Sequence, residues 1–325
     1  MKSTTPITTR FLGPAFILSC TIIWGTAFLA QKTGCEHYGP FTLTCYRNIL
    51  AGCFLWLVCK LAPRVGFLRA LTAAGGETDD AGLAAQDSRP RARRKAELLG
   101  GILSGIALFA AMSTQQLGIE HTTPGISAFL TANYILIVPF LAWMIGKGRP
   151  GAAVWISVVL ALTGSYFISV AGAFGAIGIG ELWTLLCALL FAVQIMVVDR
   201  FAPNCNVIRF SMIQTFTAAV CAAPLMLLAS EASRLTLEHF RAGWWSLFYV
   251  GIMSSGIAYT LQNLGQARTP AALAAILMSF ESVVGALSGW LVLNDVLTVR
   301  QFLGCALVFT AIILTQVLPA PPARK

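Results

Sequence analysis

Charge is scarce in this chain. Only 11% of its 325 residues are Asp, Glu, Lys or Arg, whereas soluble globular domains carry about a quarter, so a soluble domain is excluded. Histidine is scarcer still. His37, His121 and His239 all map to predicted outer loops, so a membrane-embedded serine hydrolase would lack its base. The three histidines come from separate loops without ligand spacing, and no metal site is expected. Aspartyl chemistry needs paired intramembrane acids, and only Glu281, midway along a predicted span, qualifies. No G-x-x-x-x-G-K-[ST] loop occurs, which excludes ATP-driven transport within the chain. The nine cysteines include no C-x-x-C and mostly fall inside apolar runs, as Cys20, Cys53 and Cys305 do, where they read as small packing residues. Neither an enzyme nor a cofactor is expected.

What the chain has is apolar length. Hydrophobic residues make up 57% of it, and its mean hydropathy is +0.76. Ten segments are each long enough to cross a hydrocarbon core of ~30 Å as a helix: 11–31, 40–61, 98–118, 124–146, 151–171, 181–199, 208–229, 244–264, 270–293 and 299–318. The first run lacks a small-residue cleavage site and is read as a retained helix. The net charge of +9 is placed unevenly. With spans numbered alternately, seventeen of the 22 Lys and Arg residues fall on one side, four on the other, and Arg47 inside the second span. That bias puts both termini in the cytoplasm of a cell-membrane protein and makes basicity a topology signal, not a nucleic-acid footprint. The segment 62–97, ending in R-P-R-A-R-R-K (Arg89 to Lys95), reads as a solvated cytoplasmic loop. Contact of that run with anionic lipid stays open as a second reading.

The chain also repeats itself. Ser113 to Leu136 and Tyr259 to Ser282 align at an offset of 146, pairing Gln116 with Gln262, Thr123 with Thr269, Pro124 with Pro270 and Ala128 with Ala274. At an offset of 167 the first span overlays the sixth, pairing Trp24 with Phe191, Ala27 with Gln194 and Lys32 with Asp199. Five spans per copy is an odd number, so the second copy enters the membrane from the opposite side. The expected fold is an all-α polytopic membrane protein, with ten transmembrane helices as two inverted five-helix repeats. Residues 1–10 form a cytoplasmic tail, 11–172 the first repeat, 173–318 the second, and 319–325 a cytoplasmic C-terminal tail.

Two stretches resemble the EamA-like family of the drug/metabolite transporter superfamily. One is W-G-T-A-F-L-A-Q-K (Trp24 to Lys32) with P-F-T-L-T-C-Y-R (Pro40 to Arg47); the other is L-M-S-F-E-S-V-V-G-A-L-S-G-W-L-V-L-N-D (Leu277 to Asp295). The chain departs from the family pattern at Ser282, where Pro is common, and at Asn294-Asp295, where Glu is common. The resemblance covers the chain outside 62–97 and implies a secondary transporter that exports a small metabolite, such as an amino acid, or a drug-like compound. A lipid-linked sugar flippase would use the same scaffold.

A charge at the bilayer centre costs at least ~2.5 kcal/mol, so an intramembrane ionisable residue is a functional candidate. Glu281 either couples transport to protons, by releasing and regaining one as the cavity changes face, or holds the ninth span to a neighbour. Arg47 either binds an anionic substrate group or pairs structurally. Ser255, Tyr259, Gln262 and Gln266 fall at i, i+4, i+7 and i+11 on one face of the eighth span, and Ser113 with Gln116 repeats this on the third. Such faces meet either a wet cavity or another helix. The expected cavity residues are therefore Trp24, Gln116, Asn133, Tyr134, Gln194, Ser255, Tyr259 and Gln262, with Arg47 and Glu281 as the charged pair. The expected partners are a small-molecule substrate, protons and membrane lipid, with no nucleic acid and no required oligomer. Gly101-x-x-x-Gly105 and Gly285-x-x-x-Gly289 predict close helix contacts within the bundle, and Pro139 and Pro224 predict kinks.

Overall fold

A chain this apolar must satisfy its backbone hydrogen bonds internally, which in lipid favours the helix. The computed structural model describes residues 7–61, 90–122, 124–169, 178–234, 236–293 and 298–317. Among them every regular element is helical. In chain order these are α1 (Ile7–Tyr38), α2 (Pro40–Leu61), α3 (Pro90–His121), α4 (Pro124–Thr131), α5 (Tyr134–Met144), α6 (Ala152–Ser169), α7 (Ile179–Phe201), α8 (Val207–Leu228), α9 (Leu237–Phe248), α10 (Tyr259–Gln266), α11 (Ala271–Met278), α12 (Phe280–Leu293) and α13 (Val299–Val317). A π-helical stretch, Tyr249–Ala258, joins α9 to α10 in one continuous run.

The start signals are local. Pro40, Pro90 and Pro124 open α2, α3 and α4, where a missing N–H is no loss. Gly39, at φ +84°, makes the reversal between α1 and α2 and donates its N–H to Cys35 O at 2.9 Å. Among the described residues, seven stretches are long and apolar enough to cross a membrane: Phe11–Tyr38, Pro40–Leu61, Arg93–His121, Ile126–Met144, Ile179–Asn204, Val207–Leu228 and Ala271–Ser288. Ala152–Ile168 and Val299–Thr315 are shorter apolar helices. All ten segments expected to span therefore contain helix, though length and apolarity alone qualify seven. Because α3 begins at Pro90, the end of the expected 62–97 loop is helical; residues 62–89 and the tail 319–325 lie outside the described residues.

The helices pair in a recurrent pattern. α3 lies along α7, and α1 lies along the continuous 237–266 helix. α4 and α5 pack on α7, while α11 and α12 pack on α1; α2 pairs with α8 and α6 with α13. Small residues set the closest approaches. A Cβ at Gly164 would sit 2.6 Å from Gly304 O, and one at Gly304 equally close to Gly164 O, so α6 and α13 cross backbone to backbone. Gly101 and Gly105 face Ile213, Gln214 and Thr217 of α8, a contact within the bundle. Two carboxylates cap helices across the structure. Glu97 Oε1 accepts the N–H of Asn206, the N-cap of α8, at 2.9 Å, and Glu231 Oε2 accepts that of Thr42 in the first turn of α2 at 2.7 Å.

Candidate functional site

Two helices are broken in mid-course, and the breaks fall at aligned positions. The fourth expected span stops at Thr131 and resumes at Tyr134; the ninth stops at Met278 and resumes at Phe280. Asn133 and Ser279, paired by the 146 offset, stand at these breaks. Asn133 Nδ2 donates to Leu130 O at 3.0 Å and Phe129 O at 3.3 Å, and Ser279 Oγ donates to Ile276 O at 2.6 Å. Each side chain thus adds a second hydrogen bond to the carbonyl three residues back, which also accepts that residue's backbone N–H, at 3.2 Å at the first break and 3.1 Å at the second. Interrupted backbone at membrane depth is tolerated where protein or a cavity surrounds it. Helix runs through Pro139 and Pro224, so the interruption of the fourth span lies at Asn133 and not at the proline.

A cavity opens where the breaks converge. Its walls are Trp24, Phe28 and Gln31 of α1, Arg47 of α2, Gln115 of α3, Thr131 of α4, Tyr134 of α5, and Phe191 and Ile195 of α7. Ser254 of the π stretch, Tyr259 and Gln262 of α10, Met278 of α11 and Glu281 of α12 complete it. The free space is about 480 Å³, its open side included.

Glu281 is 6% exposed, and Tyr134 Oη donates to its Oε1 at 3.4 Å. Tyr134, one residue past the first break, thus meets Glu281, two residues past the second. Gly25 lets α1 lie against this turn, since a Cβ there would be 2.7 Å from Glu281 O. At the other pole, Arg47 Nε donates to Ser255 Oγ at 2.8 Å, Nη2 to Ser254 Oγ at 3.0 Å and Nη1 to Gln31 Oε1 at 3.2 Å. A π turn holds more residues than an α turn, so the consecutive hydroxyls of Ser254 and Ser255 diverge less and serve one guanidinium. Trp24 and Tyr259 stand together with ring centroids 4.8 Å apart, and Trp24 Nε1 donates to Ser254 O at 3.3 Å.

Amides flank the cavity on both sides. Gln116 Nε2 donates to Gln31 Oε1 at 2.9 Å while its Oε1 accepts from Cys35 Sγ at 3.0 Å. Gln262 Nε2 donates to Gln194 Oε1 at 3.3 Å and Gln266 Oε1 at 3.0 Å, and Gln266 Nε2 reaches Ile195 O at 3.2 Å. Beyond them Asp199 Oδ1 accepts the Ala271 N–H at 2.9 Å, at the start of α11, and its other oxygen pairs with Lys147.

Of the residues singled out in the sequence, Trp24, Arg47, Tyr134, Tyr259, Gln262 and Glu281 line the cavity. Gln116, Gln194 and Ser255 stand behind it, each bonded to a lining residue. Asn133 serves the break. Phe28, Gln31, Gln115, Thr131, Phe191, Ile195, Ser254 and Met278 also line it. Phe28 and Gln31 were findable, because Trp24, Phe28 and Gln31 share a helix face at i, i+4 and i+7. No periodicity announces the π stretch that brings Ser254 forward. His37 and His239 meet with ring centroids 6.4 Å apart, while His121 ends α3.

Comparison with known proteins gives the same outline. The model of the EamA-like transporter family matches twice, over residues 11–170 and 178–317. An uncharacterized transporter of Archaeoglobus fulgidus is 24% identical over 295 residues, covering 91% of this chain and 82% of that protein. An uncharacterized transporter of Methanothermobacter thermautotrophicus is 19% identical over 309 residues, covering 93% and 85%. A solved crystal structure, described only as that of a protein, superposes with a TM-score of 0.68 at 18% identity, over 95% of this chain and 96% of that one. That likeness concerns the fold alone.

Proposed function

Since this chain belongs to the EamA-like transporter family, we propose that it exports a small metabolite, such as an amino acid or a drug-like compound, by alternating access between two inverted five-helix repeats. Glu281 couples the movement to protons. The observation that carries this reading is the cavity itself: two helices broken at repeat-equivalent positions converge on it, and it holds one carboxyl group, Glu281. Broken helices meeting at mid-membrane are where transporters of inverted-repeat design bind their cargo.

The packing supports inversion and ten spans. Exchanging each helix of the first half for its counterpart turns the α3–α7 contact into that of the 237–266 helix with α1, and it returns the α2–α8 and α6–α13 pairs to themselves. The reciprocal caps by Glu97 and Glu231 obey the same exchange, for they close the N-termini of α8 and α2, the seventh and second spans. Both termini then face the cytoplasm of a cell-membrane protein, as the basic residues indicate.

Liposomes containing the purified protein test the coupling. A panel of labelled amino acids and other small metabolites is offered with and without a pH gradient. We expect gradient-driven accumulation of at least one compound, and Glu281→Gln to abolish accumulation while leaving solute exchange at equal pH intact. Unchanged accumulation in that variant would sink the proton-carrier role.

A further inference from the structure

Arg47 carries the strongest unassigned signal in the molecule. It is 2% exposed, and its three hydrogen bonds go to two serine hydroxyls and one amide, all neutral. A guanidinium has five N–H donors and a permanent positive charge, so two donors and the whole charge are left over. No acidic side chain forms an ion pair with it among the described residues; the pairs of Glu97 and Asp199 lie elsewhere. Glu281, the acid that shares the cavity, is hydrogen-bonded to Tyr134 instead. A helix clamp needs no charge; neutral amides bridge helices on both sides of the same cavity. An unneutralised buried cation is costly, and it persists where a function uses it.

We propose that Arg47 sets the class of solute by binding its carboxylate with the remaining N–H groups, two parallel bonds to two oxygens. Ser254, Ser255 and Gln31 hold the guanidinium plane, and Trp24, Phe28 and Phe191 receive the apolar body of the solute. Arg47 is the one cationic side chain among the lining residues, which favours a singly charged carboxylate over a phosphate. The inference rests on the reading of this cavity as the solute site.

The test is thermal unfolding of the detergent-solubilised full chain with a panel of common amino acids and short mono- and dicarboxylates, each beside its amide. The expected result is that one or more acids stabilise the wild type at concentrations about tenfold or more below their amides, the difference a charge-assisted bidentate pair supplies. Arg47→Gln erases the acid–amide difference without lowering the melting temperature of the ligand-free protein. Arg47→Lys, which keeps the charge and loses the fork, retains a weakened preference and decides the matter where Arg47→Gln does not fold. No preference for any acid in the wild type, or an undiminished preference in either folded variant, overturns the assignment. The measurement needs neither a gradient nor transport. Retained acid selectivity without gradient-driven accumulation therefore sinks only the coupled-transport reading, and the converse sinks only this one.

Discussion

The two helix breaks are built alike and furnished differently. At each, one small polar side chain, Asn133 or Ser279, donates to the carbonyl three residues back. Two residues beyond each, at aligned positions, stand Ile135 and Glu281, the one buried in the apolar core, the other on the cavity wall. The break one residue closer offers Tyr134, whose hydroxyl meets that same Glu281. Duplication accounts for what the halves share, which is backbone; divergence accounts for what they do not, which is the chemistry of the cavity.

The largest expected effect tests the comparison at its base. If the halves are inverted, α4 is entered from outside and α11 from inside. On a cysteine-free background, His121→Cys is expected to react fully with a membrane-impermeant maleimide added to intact cells, while Arg149→Cys and Arg268→Cys do not react until the membrane is opened. Positions 121 and 268 stand just before the two broken helices. Their labelling from the same side would mean the repeats are parallel and would end the inverted reading.

A smaller effect is expected where the two breaks touch. Tyr134→Phe removes the one hydrogen bond from the first break to Glu281 and keeps the ring in the wall. A hydrogen bond of net worth about 1 kcal/mol corresponds to roughly a fivefold change in rate or affinity. Gradient-driven transport should fall by about that factor, with exchange at equal pH less affected. A loss as complete as that of Glu281→Gln would show Tyr134 to be a partner of equal rank and the asymmetry between the breaks to be shared.

Much of this arrangement was legible in the sequence, and the illegible part has a physical reason. The doubled Gln and Thr-Pro positions located the equivalent helices, and Glu281 and Arg47, an acid and a base set inside apolar runs, are costly enough there to stand out. The breaks did not stand out. Pro139 is the residue of the fourth span that reads as a kink, and the helix does run through it; the break falls at Asn133, where the side-chain amide and the backbone N–H both bond Leu130 O and no local sequence signal marks the interruption. Ser254 was passed over for Ser255 because α-helical spacing was assumed where the structure has a π stretch. Gln116 and Gln194 were expected to face the cavity; they hold Gln31 and Gln262, which do. A polar stripe identifies the side of a helix that avoids lipid, and packing then decides which of its members meets the cavity and which meets another side chain.

The smallest effect tests whether the two breaks are equivalent in energy as well as position. Asn133→Ala and Ser279→Ala each delete a side-chain hydrogen bond to a carbonyl at the break, at an expected cost of about 1 kcal/mol of stability apiece. Asn133 makes two such bonds and Ser279 one, so the asparagine variant should be the less stable of the two. The sites stand at separate breaks and share no hydrogen-bond partner, so the double variant should lose the sum of the two. Thermal unfolding in detergent reads all three. Marked non-additivity would mean that the breaks communicate, as they would if α5 and α11, which pack on one another, moved together when the cavity changes face. Simple addition would leave each break a local structural device, and the burden of joining the halves would then fall on the Tyr134–Glu281 contact and the amides that flank it.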